Sequence, residues 1–331
     1  MAASAVTGGH PGSAGDVSVE VPVKRVGVAT LLVLAYVAAV LVVTMLVMGL
    51  TKILIGDWEA GGPHLELAGE GLLTALGILI TSLLARWLRH SHEMFRGWPA
   101  LGTSLGWFAK GGLAGLLMAG AMLSITLALR GGRLVFGDGG LPAYLRYVIP
   151  LGGCLLVAAL AEEWLFRGYP LMKFASVLGR GWANLAMAVL FAAAHLGSPG
   201  VTLLVLVNIV LGSLVVGSLR FTPGGIPAAW GFHFVWNYVQ VLCGASLSLE
   251  NVDVPGVTFA ASGGDLVSGG IFGPEASVGA TMATIPTLVV LAGYFRRRGL
   301  RDVPLPRLTR RRRDAEAVFN AIGRREGWPG A

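Results

Sequence analysis

Long apolar stretches, separated by short polar segments, constrain this chain more than any other feature of its sequence. Residues 26–50 form the first stretch and contain no charged side chain. A transmembrane helix needs roughly 20 consecutive apolar residues, so this stretch is long enough to cross a bilayer and too long for the core of a signal peptide. Further apolar stretches lie at 67–85, 107–129, 147–178, 182–197, 200–219, 226–243 and 278–295. The sequence therefore predicts about eight transmembrane helices.

The composition agrees with a membrane protein and argues against a soluble one. Of the 331 residues, 54% are hydrophobic and 13% are charged, against roughly 25% charged in ordinary soluble domains. This is too little polar surface to cover a globule in water, which argues against a soluble enzyme, a disordered chain and a fibrous repeat. We expect an all-α, polytopic membrane protein with a polar site inside the membrane.

The distribution of basic residues predicts how the chain is oriented in the membrane. If the N-terminus is cytoplasmic and eight segments cross, 20 of the 25 Lys and Arg lie on the cytoplasmic side, eleven of them arginines after Phe295. This is the bias expected from the positive-inside rule. We therefore predict a disordered cytoplasmic tail at 1–23, a transmembrane domain at 24–295 and a basic cytoplasmic tail at 296–331, in the cytoplasmic membrane. The basic residues favour contact with anionic lipid headgroups and not with nucleic acid.

A few polar residues lie within the apolar stretches, where an ionisable side chain is costly and is usually functional. Glu162 and Glu163 occur in the fourth stretch, His195 in the fifth, and His233 with Asn237 in the seventh. Their joint occurrence in one half of an apolar chain predicts a shared functional site.

Helical spacing gives the two glutamates different roles. Glu163 and Arg167 are four residues apart with the acid first, the arrangement that favours an ion pair on one helix face. Glu162 points about 100° away on the same helix and is predicted to be available for chemistry. His233 and Asn237 are also one turn apart, so the amide can orient the imidazole or donate to an oxyanion.

Spacing along the chain predicts that Glu162 and His195 lie at one depth. Both are nearly equally distant from the polar turn at 179–180, so an antiparallel pair of continuous helices would bring them together. His233 joins them if the seventh stretch packs against this pair.

Three weaker features are interpreted as structural. Gly111-x-x-x-Gly115 has the spacing of a helix-packing motif, and Asn208 is expected to form a hydrogen bond between helices. The segment 268–275 is expected to be a simple turn before the last apolar stretch.

The three polar motifs together resemble those of the CPBP family of intramembrane proteases, also called the CAAX-protease or Abi family. The matching residues, within about 145–245, are Glu162-Glu163-x-x-x-Arg167, Phe191-x-x-x-His195 and His233-x-x-x-Asn237. The resemblance implies an eight-helix membrane fold and cleavage of a peptide bond near the cytoplasmic side of the membrane. It also implies a membrane-associated protein or peptide as substrate.

The resemblance also implies roles for individual residues. Glu162 and His195 would activate the attacking water, and His233 and Asn237 would stabilise the oxyanion. Glu163 and Arg167 would support the site.

Two alternatives stay open at the level of sequence. Glu162, His195 and His233 form a possible zinc-binding set with an open fourth position. The absence of His-Glu-x-x-His and the predicted pairing of Glu163 favour a site with no metal, because zinc would leave no separate base. The second alternative is a non-catalytic membrane scaffold, an immunity protein or a proton-coupled carrier, although no internal repeat supports a carrier.

Overall fold

The fold is described by a computed structural model over residues 23–55, 72–83, 98–247 and 253–297. These ranges contain ten α-helices and a two-stranded antiparallel sheet. The helices are α1 Val23–Ile55, α2 Leu72–Leu83, α3 Leu101–Ala128, α4 Gly140–Arg167, α5 Tyr169–Leu178, α6 Arg180–Ala193, α7 Leu203–Arg220, α8 Gly225–Leu242, α9 Asp265–Ser268 and α10 Val278–Arg297. The strands are β1 Gly132–Phe136 and β2 Val257–Ala261, with Gly132 opposite Ala261. Two short 3-10 turns, Gly270–Phe272 and Pro274–Ala276, connect α9 to α10.

The helices confirm a polytopic, all-α membrane protein. Within the described ranges, five helical segments are long and apolar enough to cross a membrane: Arg25–Leu54, Leu101–Ala128, Gly140–Leu178, Leu203–Arg220 and Val278–Arg297. The third of these consists of α4 and α5 together. Each of the eight predicted stretches contains a helix, although several are shorter than a full span, so the number of eight crossings stays a prediction. Large apolar side chains on the outer helix faces, such as Met45 and Val290, are more than half exposed, as expected where lipid replaces water.

Helix α8 lies at the centre of the bundle and packs against α3, α4 and α7. Helix α3 approaches α8 closely because glycines leave no side chains between the two backbones at the contact. A Cβ atom on Gly111 or Gly115 would overlap the backbone of Ala228 or Phe232, and one on Gly231 would overlap the backbone of Phe108. The helix-packing interpretation of the two α3 glycines is therefore confirmed.

Hydrogen bonds fix α8 against α4, the helix that carries the glutamate pair. The indole Nε1 of Trp230 donates to the carbonyl oxygen of Leu156 at 2.8 Å. Tyr238 donates its hydroxyl to the carbonyl oxygen of Val148 at 3.1 Å. Each bond also satisfies a polar side-chain group inside an apolar bundle, where an unsatisfied donor is costly.

The fourth apolar stretch is not the single helix that the sequence predicted. Helix α4 ends at Arg167 and α5 begins at Tyr169, with Gly168 between them at φ −75° and ψ −120°. Pro170 lies in the first turn of α5, a position where its missing N–H costs nothing. The predicted arrangement of one continuous helix paired with α6 is therefore wrong, and α6 packs mainly against α5 and α7.

Two of the arginines counted on the cytoplasmic side are buried at helix ends. Arg167 is 2% exposed and Arg220 is 3% exposed. The Nε of Arg220 donates to the carbonyl oxygen of Arg167 at 3.0 Å, so this pair links the ends of α4 and α7. The remaining basic residues still favour a cytoplasmic location for both termini, and this orientation stays a prediction.

The predicted terminal tails lie almost entirely outside the described residues. Helix α1 begins at Val23, one residue before the predicted boundary of the transmembrane domain. Helix α10 continues past the other boundary and ends at Arg297.

Candidate active site

The polar residues singled out in the sequence meet at one cavity inside the bundle. The cavity has a volume of about 230 Å³ and lies between α4, α7, α8 and α10, with the end of α6 at its edge. Glu162, His195, His233 and Asn237 all line it. The surrounding wall is mostly apolar, with Leu155, Phe191, Ile209, Phe232 and Ala280 among its residues. The structure therefore brings the four predicted catalytic side chains together.

Glu163 lies behind this cavity and is fully buried. Its Oε1 accepts hydrogen bonds from Nη1 of Arg167 at 3.0 Å and from Nδ1 of His233 at 2.8 Å. The other guanidinium nitrogen of Arg167, Nη2, donates to the hydroxyl of Ser213 at 2.7 Å. The predicted pair of Glu163 and Arg167 is thus confirmed. The sequence did not show that the same carboxylate also holds an imidazole.

Glu162 occupies a different environment from its neighbour. Its side chain is 42% exposed, and Oε2 lies 3.9 Å from Nε2 of His233. This agrees with the separation of about 100° between adjacent positions of a helix. The carboxylate of Glu163 is therefore buried in the core, whereas that of Glu162 reaches the cavity, where a water molecule has access to it.

His233 has its orientation fixed by Glu163. A carboxylate accepts hydrogen bonds, so Nδ1 of the imidazole carries the proton in their contact. The second nitrogen, Nε2, then lies on the side of Glu162 and is the atom available to a ligand in the cavity. The amide of Asn237 was predicted either to orient this imidazole or to donate to an oxyanion. Within the described part of the chain Asn237 makes no side-chain hydrogen bond, and Glu163 performs the orienting role.

His195 has its tautomer fixed by the backbone. It lies in the turn just after α6, and Nδ1 is 2.8 Å from the carbonyl oxygen of Phe191. A carbonyl oxygen only accepts, so Nδ1 donates and, in the neutral ring, Nε2 carries no proton. The four-residue spacing of Phe191-x-x-x-His195 thus has a structural reason, because it places the carbonyl within reach of the ring.

The ring of Phe191 connects all three motifs, a role that the sequence did not indicate. Its centroid is 4.9 Å from that of His195 and 6.3 Å from that of His233. The guanidinium of Arg167 lies 4.5 Å from the same centroid, a favourable contact of a cation with an aromatic face. An aromatic side chain at this position therefore separates and orients three polar groups.

Glu275 is a further carboxylate of the cavity that the sequence analysis missed. The residue lies in the 3-10 turn Pro274–Ala276 and lines the cavity. Its Oε2 accepts from Nε1 of Trp236 at 3.3 Å and from Nε2 of Gln240 at 3.5 Å. The only signal in the sequence is an isolated acid just before the last apolar stretch. The segment that was expected to be a simple turn therefore contributes to the site.

Asn208 fixes the position of this turn. Its Nδ2 donates to the carbonyl oxygens of Glu275 at 3.0 Å and Ser277 at 2.8 Å, and its Oδ1 accepts from the hydroxyl of Thr281 at 2.6 Å. The hydrogen bond between helices predicted for Asn208 is confirmed, since it joins α7 to the start of α10.

The zinc alternative stays a prediction. Among the described residues, no three side chains of His, Cys, Asp or Glu stand together closely enough to hold a metal ion. Nδ1 of His195 is engaged by a carbonyl oxygen and Nδ1 of His233 by Glu163, which leaves Nε2 of each ring as its possible metal donor. Glu162 approaches only the ring of His233, at 3.9 Å. The three proposed zinc ligands share the cavity, and their side chains are not grouped as a metal site in the described part of the chain.

A carboxylate and two oriented imidazoles around a water-accessible cavity are the groups that a hydrolytic site uses. Residues 145–239 match the family model described as type II CAAX prenyl endopeptidase Rce1-like. The matched segment contains all three motifs, from Glu162 to Asn237, and confirms the resemblance to CAAX proteases. The match supports intramembrane protease activity on a membrane-associated protein. No curated protein and no solved structure matches the chain.

Proposed function

We propose that the protein is an intramembrane endopeptidase that hydrolyses a peptide bond of a membrane-associated protein or peptide. The observation that carries this proposal is that Glu162, His195, His233 and Asn237 share one cavity within an apolar helical bundle. Nδ1 of each imidazole is already engaged, which leaves Nε2 of each ring for chemistry. We also propose that both termini are cytoplasmic and that eight segments cross the cytoplasmic membrane.

Glu162 and His195 activate the attacking water in this proposal. Water between them loses a proton to the Glu162 carboxylate, while Nε2 of His195 accepts its other hydrogen bond. The water oxygen attacks the carbonyl carbon and forms a tetrahedral intermediate. The same proton then passes to the nitrogen of the leaving amine, and the bond between carbon and nitrogen breaks. The glutamate is returned to its ionised form at the end of the cycle.

His233 and Asn237 stabilise the negative charge on the tetrahedral intermediate. The Nδ1–H of His233 is held by Glu163, so the ring donates to the oxyanion from Nε2 as a doubly protonated imidazolium and keeps this proton throughout the reaction. The amide of Asn237, one helical turn further along α8, supplies a second donor. Such donors are strong in an apolar cavity, because little water competes with them.

Glu163 and Arg167 are positioning residues in this mechanism. The carboxylate fixes the ring of His233, and Ser213 and Phe191 fix the guanidinium that holds the carboxylate. Neither side chain needs to touch the substrate to affect the reaction.

We further propose that the reaction uses no bound metal, because the donors do not form a ligand set. Treatment of the purified protein with EDTA is therefore expected to leave the rate of peptide cleavage within about twofold of the untreated rate. The measurement is cleavage with and without EDTA, together with elemental analysis of the same sample. One zinc per chain and a full loss of activity that zinc restores would contradict this expectation.

A cell-wide comparison of membrane-protein fragments tests the proposed function directly. Cells that contain the unchanged protein are compared with cells that contain Glu162→Gln at equal abundance, and peptides with new ends are identified by mass spectrometry. We expect fragments that appear only with the unchanged protein, and these name the substrates. Identical fragments in both cells would favour the alternative of a scaffold, an immunity protein or a carrier.

A further inference from the structure

Glu275 lines the same cavity as the proposed catalytic groups. The carboxylate of Glu275 is bonded to Trp236 and Gln240, which follow His233 on α8 by three and seven residues. At a rise of ~1.5 Å per residue, these positions are about 4.5 and about 10.5 Å further along the helix axis. The cavity therefore offers a second polar point at a distance that a peptide bound at His233 would also reach.

The carboxylate of Glu275 is held in place before any substrate binds. Trp236 and Gln240 donate to Oε2, and Asn208 donates to the carbonyl oxygen of the same residue. The turn is also restricted at Gly273, where φ is 102° and a side chain would overlap the backbone of Ser246. A group that is fixed in this way loses little conformational freedom on binding a ligand.

The charges around the cavity favour a cationic ligand. Among the described residues, the three carboxylates of Glu162, Glu163 and Glu275 outnumber the two cations at the cavity, which are Arg167 and the imidazolium form of His233. Arg167 is bonded to the buried carboxylate of Glu163, which offsets its charge. Carboxylates in a cavity with apolar walls produce a focused negative potential that attracts cations.

We propose that Glu275 is a specificity-determining residue that binds a lysine or arginine side chain of the peptide substrate. An extended chain advances ~3.3 Å per residue, so the cationic residue lies about one to three positions from the scissile bond. This proposal rests on the proposed protease function and adds a preference for one substrate chemistry to it.

Apolar peptides with a single lysine test this preference. The lysine is moved through each position from four before to four after the scissile bond, and matched peptides carry norleucine, which has a similar alkyl chain without charge. The protein is placed in phosphatidylcholine vesicles, so that anionic lipid does not attract the basic peptides. We expect kcat/KM to be about tenfold higher for the lysine peptide than for its norleucine partner at one or two positions.

Substitutions of Glu275 separate recognition from a structural effect. In Glu275→Gln, which retains an oxygen acceptor for Trp236, the ratio of kcat/KM for the two peptides is expected to fall to about one. In Glu275→Lys the preference should reverse toward a peptide with glutamate at that position. Asp265→Asn removes an exposed carboxylate of the neighbouring helix α9 and should retain the lysine preference. A ratio that is close to one in the unchanged protein, or that Glu275→Gln leaves unaltered, overturns the proposal.

Binding measurements distinguish a failure of the role proposed for Glu275 from a failure of the proposed protease function. In the Glu162→Gln background, where no turnover is expected, titration calorimetry compares the lysine and norleucine peptides. Tighter binding of the lysine peptide that is lost in the double variant with Glu275→Gln supports the recognition role, even if the unchanged protein cleaves nothing. In that case the proposed protease function is wrong, and the proposed recognition of lysine by Glu275 is retained. Equal binding of both peptides overturns the role of Glu275.

Discussion

Glu162→Gln is expected to lower the rate of peptide cleavage by at least about 10²-fold, because the amide cannot take the proton of the attacking water. The substitution preserves the shape of the side chain and does not touch the buried carboxylate of Glu163. Since Glu162 is 42% exposed and its contact with Nε2 of His233 is long, at 3.9 Å, the fold should be retained. The measurement is single-turnover cleavage of a membrane-embedded peptide by purified protein in vesicles.

Two controls identify the cause of such a loss. The melting temperature of Glu162→Gln in detergent should lie close to that of the unchanged protein, which excludes unfolding. Asp265→Asn makes the same chemical change at an exposed position outside the cavity and should leave cleavage intact. A Glu162→Gln protein that cleaves at the original rate would remove Glu162 from the role of base.

The parts of the site that follow local rules were predictable from the sequence. The pair of Glu163 and Arg167 follows from a four-residue spacing on one helix, and the separate environment of Glu162 follows from the angle between neighbouring positions. The apolar stretches likewise indicated the helices, since a bilayer requires both length and hydrophobicity. Each of these inferences depends on residues that are close together in the chain.

Features that depend on tertiary packing were not predictable in the same way. The break at Gly168 interrupts an apolar stretch that looks continuous, because hydropathy does not report backbone dihedral angles. Glu275 reaches the cavity only because Asn208, 67 residues earlier, holds its turn against α7. His195 was predicted at the right site although the continuous helix assumed for its register does not exist. The cavity that contains it is formed by several helices and not by one antiparallel pair.

The buried network links the chemistry of the site to the stability of the fold. Glu163, which does not reach the cavity, accepts from both Arg167 and His233 through one oxygen. Its other oxygen, Oε2, is buried with no hydrogen-bond partner in the described part of the chain. The carboxylate therefore depends on these two donors, and the loss of either one leaves a poorly compensated charge in the core.

Arg167→Ala is accordingly expected to destabilise the protein by about 3 to 5 kcal/mol, because it strands the buried carboxylate of Glu163. Glu163→Ala should have an effect of similar size, since it strands the guanidinium. Glu162→Ala should cost less than about 1 kcal/mol, because the side chain is partly exposed and its ionic contact is long. The measurement is thermal unfolding of the three purified variants in the same detergent.

A double variant tests whether the stranded charge causes the destabilisation expected in Arg167→Ala. Glu163→Leu combined with Arg167→Met removes both charges and retains most of the buried volume. Breaking a buried pair costs more than replacing both partners with apolar side chains, so this protein should melt at a higher temperature than Arg167→Ala. Its cleavage rate should nevertheless remain below that of the unchanged protein, because His233 has lost the acceptor that orients its ring. Equal melting temperatures for Glu162→Ala, Glu163→Ala and Arg167→Ala would show that the buried pair does not contribute to stability, and its role would then be limited to orienting His233.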